Sequence, residues 1–131
     1  AFKTWSAVTP LRFILITEKR PKVHMYMRFA TRIHCCHLAP PADMAFDGLG
    51  GVLAHTEYPR YGGDLHVDDD ENWALHFDPR NASVSSLLYV LIHEIGHGLG
   101  LEHSCDPESI MFPNTGGYNH NYSLNHNDIH A

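Results

Sequence analysis

The stretch 93–103 reads His-Glu-Ile-Gly-His-Gly-Leu-Gly-Leu-Glu-His, and its residue types and spacing suit metal-assisted hydrolysis. On a helix that repeats every 3.6 residues, His93 and His97 lie four apart on one face and can offer two imidazoles to one ion. Glu94, one position on, is awkwardly placed to ligate. It can instead reach a water on the metal and act as general base. Gly100 permits a sharp exit from the helix, so that the chain can turn back and bring in His103 as a third nitrogen ligand. Three protein ligands leave one position open, and zinc held this way lowers the pKa of its water to about 7. Two histidines four apart are by themselves as often ordinary surface or core residues. Glu94, Gly100 and His103 at their offsets turn the reading toward zinc.

A helix must carry this pair. Leu87, Leu88, Leu91, Ile92 and Ile95 give it an apolar face at helical spacing, and the run 83–86, Ser-Val-Ser-Ser, offers N-cap residues. Upstream, residues 11–17 read as a short strand after the Thr9-Pro10 break, and 19–22 as a polar turn. Residues 23–30 alternate, with Val23, Met25, Met27 and Phe29 on one face and His24, Tyr26 and Arg28 on the other, the pattern of a half-buried strand. The loop 31–51, rich in Pro, Gly, Cys and His, is long enough to require something to hold it, and bound metal would do so. Residues 51–56 and 64–68 read as neighbouring strands joined through the turn at 59–63. The acidic run 68–71 is either a solvated turn or a set of oxygen ligands for a hard cation. The segment 105–122 is irregular, and Ser123 is a candidate cap for a last helix.

At 131 residues and 44% hydrophobic, the chain has the material for one core, and a single domain over 1–131 is expected. A formal charge of -6 without a Lys/Arg-rich run argues against nucleic acid as partner. No apolar run approaches the roughly 18 residues of a membrane span. The three cysteines, Cys35, Cys36 and Cys105, cannot all pair, so at least one stays free or binds metal. Twelve histidines are many for this length, and two zinc ions would account for about half of them. Asn81-Ala82-Ser83 and Asn121-Tyr122-Ser123 have the form of glycosylation acceptors, a mild pointer to secretion.

Ser109-Ile110-Met111-Phe112-Pro113 places a methionine at a turn downstream of the histidines, and together with the extended zinc motif this resembles the metzincin peptidases and their Met-turn. Ser104, directly after the third histidine, narrows the likeness to the matrixins, the matrix metalloproteinases. Phe46-Asp47-Gly48 with Gly50-Gly51 and Leu53-Ala54-His55 is similar to a matrixin signature, as is Gly62-Gly63-Asp64-Leu65-His66-Val67-Asp68 with Glu71 and Trp73. The likeness covers almost the whole chain.

The resemblance implies an α+β fold with a small twisted mixed sheet, an active-site helix, and N- and C-terminal helices that are both truncated. It also implies a fragment that lacks a cysteine-bearing pro-segment and the first strand, from a secreted, extracellular, monomeric zymogen. The implied activity is zinc-dependent hydrolysis of extended polypeptide or extracellular-matrix-type substrates through a zinc-bound water activated by Glu94. Proteinaceous inhibitors would be a second class of partner. His93, His97 and His103 would bind the catalytic zinc. His55 and His66 match two ligands of a structural zinc, and counting from Phe29 puts His34 and Cys36 on the other two; the loop runs longer than in the family, so His37 or Asp43 stay open as alternatives. Asp47, Asp68 and Glu71 match the carboxylates of one calcium site, with backbone oxygens from Gly48, Gly50 and Val52. A second family calcium site would use Asp64 and a residue that here is His24, a poor ligand for a hard cation. Leu53 and Ala54 would form the edge to which substrate adds as a strand, with the Ala54 carbonyl stabilising the water or the leaving amine. Tyr89 would make the main pocket shallow, Pro113 would wall it, and Thr115 stands where a tyrosine is usual. A metal-stabilised binding domain without activity and a zinc-storage protein are competing readings. The first leaves Glu94 without a purpose, and the second leaves Gly100, Ser104 and Met111 unexplained.

Overall fold

The surface on which the other elements assemble is the apolar face of the helix that carries the histidine pair. In the computed structural model, which describes residues 1–18, 23–34, 45–81, 83–114 and 122–131, the chain runs α1 (Phe2–Ser6), β1 (Met27–Ala30), β2 (Ala54–Thr56), a 3-10 turn (Pro59–Tyr61), β3 (Leu65–Asp68), β4 (Trp73–Ala74), β5 (Ser85–Ser86), α2 (Leu87–Leu99) and α3 (His126–His130). Ser86 caps α2, its hydroxyl accepting from the Tyr89 N–H at 3.3 Å. Gly100 ends the helix at φ 104°, a left-handed conformation that costs a residue with a Cβ, and the Leu101 N–H then donates to the Gly96 carbonyl at 3.0 Å.

Three strands form one sheet in the order β1-β3-β2, with β1 parallel and β2 antiparallel to β3. β3 has neighbours on both edges and all four of its residues are buried. β2 is an edge strand against α2. A second, two-stranded sheet pairs β4 with β5 in parallel. The core gathers Leu65 and Val67 from β3, Ile92 and Ile95 from α2, and Ile110 and Met111. Trp5 of α1 completes it, its indole N–H donating to the Ile92 carbonyl at 2.9 Å. The fold is therefore α+β, with a small mixed sheet and a few helices.

Several local expectations fail. Residues 11–17 form no strand: Ile14 is 74% and Leu15 86% exposed, and no ladder partner for them exists among the described residues. Strand propensity without a partner edge does not make a strand. The alternating stretch 23–30 is a strand only over Met27–Ala30, and Met27 and Phe29, expected inside, are 40% and 50% exposed because β1 lies at the sheet edge. The strands placed at 51–56 and 64–68 shorten to β2 and β3. The last helix is capped by Asn125 rather than Ser123, through a capping box in which Asn125 and Asp128 satisfy each other's backbone N–H.

Candidate active site

α2 and the chain just beyond Gly100 bring His93, His97 and His103 together, with their ligand atoms all within 4.8 Å of one another. The His97 Nε2 lies 3.1 Å from that of His93 and 3.2 Å from that of His103. Two of the rings are held from behind: His93 Nδ1 donates to the Ile110 carbonyl at 2.7 Å and His97 Nδ1 to the Leu101 carbonyl at 2.8 Å. With the proton on Nδ1, each Nε2 presents a lone pair to the common point. Burial holds His93 in the neutral form, down to about 4, and lowers His97 as well. Converging lone pairs repel unless a cation lies between them, so the donor set fits zinc.

The carbonyl behind His93 belongs to the turn of Met111, and this turn is anchored from α3. The Asp128 carboxylate accepts from the Ser109 hydroxyl, from the Ile110 and Met111 N–H groups at 3.1 and 3.2 Å, and from the Asn125 N–H at 2.8 Å. Met111 is 1% exposed and reaches under α2 because residue 96 is glycine; a Cβ there would come 2.3 Å from the Met111 sulfur. A cleft of about 750 Å³ opens on the His103 side, lined by Leu101, Glu102, Ser104, Met111 and His126 among others.

Glu94 points away from the solvent and is 7% exposed. Burial pushes its carboxyl up to about 7, against the opposing pull of the Thr56 hydroxyl. Its Oε2 has no hydrogen-bond partner.

A second histidine group forms behind the sheet. His55 and His66 stand opposite each other in the β2–β3 register, and His34 joins them. His55 Nε2 lies 3.2 Å from His34 Nε2 and 3.0 Å from His66 Nδ1. Burial takes both His55 and His66 down to about 4, with the neighbouring rings and the Arg28 guanidinium adding to it. Arg28 also donates to the His34 carbonyl. Neutral, mutually facing imidazoles again fit a borderline cation. Cys36, His37 and Asp43 lie outside the described residues.

The acidic group is looser. Among the described residues, Asp47, Asp68 and Glu71 do not converge within 4.8 Å as the histidines do. Asp47 accepts from Val52 N–H at 3.1 Å and Glu71 from Gly50 N–H at 2.6 Å, which closes the loop that contains Gly48. Asp68 is wholly buried with its Oδ2 unpartnered, and Glu71 is raised by burial and then by the charges of Asp68 and Asp47. An orphaned buried carboxylate oxygen beside two further acids fits a hard cation such as calcium.

The model of the matrixin family matches residues 1–131, the entire chain. The chain belongs to the matrixin family. It is 44% identical to macrophage metalloelastase of Oryctolagus cuniculus over 88% of its own length, and 40% identical to that of Rattus norvegicus over its full length. Matrix metalloproteinase-18 of Xenopus laevis is 38% identical over 86% of the chain. The chain spans about a quarter of the length of these curated relatives.

The matrixin edge at β2 has a defined polarity. The Leu53 carbonyl accepts from Asp68 N–H and the Glu57 N–H donates to Asp64 within the sheet, so alternation turns the backbone groups of Ala54 and Thr56 outward. Leu53 thus faces the sheet interior with its carbonyl, and Ala54 faces the open edge. Tyr89 is 1% exposed and belongs to the core, while Pro113 is exposed just past the Met111 turn. Asp64 is engaged by the Tyr26 N–H at 3.2 Å, and His24 is exposed. Two residues near the site carried no sequence signal, Thr56 and Asp128. The spacing Asn125-x-x-Asp128 marks a capping box, but nothing local says that the same carboxylate reaches the turn of Met111.

Proposed function

We propose that this matrixin domain is a zinc-dependent endopeptidase in which Glu94 is the general base. The observation that carries the reading is the convergence of the His93, His97 and His103 imidazoles on one point, with a buried, partly unpartnered carboxylate one residue from the first of them. Zinc held by these three residues would polarise a peptide carbonyl and acidify a water. The chain's own residues do the rest. The Ile110 and Leu101 carbonyls hold the rings in the ligating tautomer. Glu94, raised toward neutrality by burial, takes a proton from the water at its free oxygen and delivers it to the leaving nitrogen.

Substrate adds as an extended strand along the open edge of β2, with the outward groups of Ala54 supplying backbone hydrogen bonds. Tyr89 closes the floor of the main pocket, which favours medium aliphatic side chains, and Pro113 walls it. His55 and His66 with His34 hold a structural zinc. Asp47, Asp68 and Glu71, with carbonyls from Gly48, Gly50 and Val52, hold one calcium. The protein acts outside the cell, as the family and the two glycosylation triplets suggest, on polypeptides of the matrix type; among the described residues no helix is long and apolar enough to cross a membrane.

Hydrolysis of a quenched peptide, with and without a zinc chelator and beside a Glu94→Ala variant, tests the proposal. Cleavage by the variant at the wild-type rate would overturn it.

A further inference from the structure

Among the described residues, three buried side-chain oxygens have no hydrogen-bond partner: Thr56 Oγ1, Asp68 Oδ2 and Glu94 Oε2. The second is accounted for by the cation reading. The other two belong to elements packed on each other. Side chains alternate along β2, with Ala54 against the core, His55 turned to His34 and His66, and Thr56 on the Ala54 side. That side faces α2. A Cβ built on Gly98 would stand 3.3 Å from Thr56 Cγ2, and Gly98 is four residues from Glu94, hence on the same helical face. A Cβ at Gly98 would meet Met25 Cε at 2.3 Å and press on Thr56, so the bare backbone there keeps β2 and its threonine close to this face. The Thr56 hydroxyl is also the side-chain group that acts on the Glu94 carboxyl, against burial.

We propose that Thr56 is a positioning residue for Glu94: its hydroxyl donates to one carboxylate oxygen and so fixes the rotamer in which the other meets the water. This rests on Glu94 being the base. A buried carboxylate with an unpartnered oxygen is costly and can turn about its last bond. One donor from a strand edge removes both problems, and the hydroxyl of Thr56 gains a partner that the sheet cannot give it. A threonine present only for strand propensity would be replaced by valine without loss, since the two share shape and β-branching.

The test compares Thr56→Val, which deletes the hydroxyl, with Thr56→Ser, which keeps it, in the intact protein. Each is made alone and with Glu94→Gln, and kcat, KM, zinc per chain and Tm are measured. The expected result is a roughly tenfold fall in kcat for Thr56→Val, the factor one hydrogen bond to a charged group supplies, with KM, zinc content and Tm unchanged. Thr56→Ser stays close to wild type, and Thr56→Val causes no further loss once Glu94 is glutamine. Wild-type kcat in Thr56→Val, an equal fall in Thr56→Ser, or a fall that tracks lost zinc or lowered Tm would overturn the proposal. Full activity of Glu94→Gln alone would instead overturn the base assignment.

Discussion

Glu94 and Asp128 are both buried carboxylates, and their surroundings give them opposite tasks. Glu94 has an unpartnered oxygen and a carboxyl pushed up to about 7, so it can exchange a proton. Asp128 accepts from a hydroxyl and several backbone N–H groups, which makes it a structural clamp. On the proposed mechanism, Glu94→Ala is expected to lose about a hundredfold or more in kcat while retaining zinc, measured by turnover and metal analysis. Truncating the clamp strands buried donors at about 1–3 kcal/mol each. Asp128→Ala should therefore lower unfolding stability by about 3 kcal/mol or more, read by denaturant titration, and should weaken zinc retention because the Ile110 carbonyl no longer steadies His93. His93, Glu94, His97 and His103 were legible from spacing alone, because a helix repeat converts sequence offsets into directions. Asp128 was not, since its partners lie 17 to 19 residues away and only the fold joins them.

At the level of elements, α2 carries residues for chemistry and residues for packing, and Gly96 serves the second. Gly96 seats Met111 and Trp5 against the helix, and an added Cβ would lie 2.3 Å from the Met111 sulfur and 3.0 Å from Trp5. Gly96→Ala should cost about 1–3 kcal/mol by overpacking, against its better helix propensity, and calorimetric melting checks the sign. The helix was readable from its apolar spacing and from serines ahead of it, although only Ser86 makes the cap. Residues 11–17 carried an equally apolar pattern and formed no strand. The difference is that a helix satisfies its backbone hydrogen bonds internally, whereas a strand requires a neighbouring edge. The same dependence moved the exposed Met27 and Phe29 away from the expected core.

Across the whole molecule, two partly buried histidine groups, one on α2 and the chain just after it and one on β2, β3 and His34, tie stability to protonation. With metals removed by a chelator, His55, His66 and His93 titrate at about 4 because burial opposes their charged forms, against 6.5 in an unfolded chain. Between those values the unfolded state binds more protons, so stability is intact above about pH 6.5 and falls as the pH drops toward 4. Melting of the chelated protein across this range should show that loss, and zinc at neutral pH should raise Tm, since metal binds the native arrangement and not the open chain. By itself the sequence determined that His93 and His97 share a face of α2, the turn at Gly100, the matrixin resemblance and the pairing of His55 with His66, because each follows from local geometry or from motifs that sit close together in the chain. The tertiary structure brought His34, which counting from Phe29 had already singled out, to that pair, and it alone decided that Asp128 holds the Met111 turn and that Thr56 lies on the side of β2 turned to α2. Those contacts are set by how β2, α2 and α3 pack, and packing joins residues whose separation in the sequence carries no period.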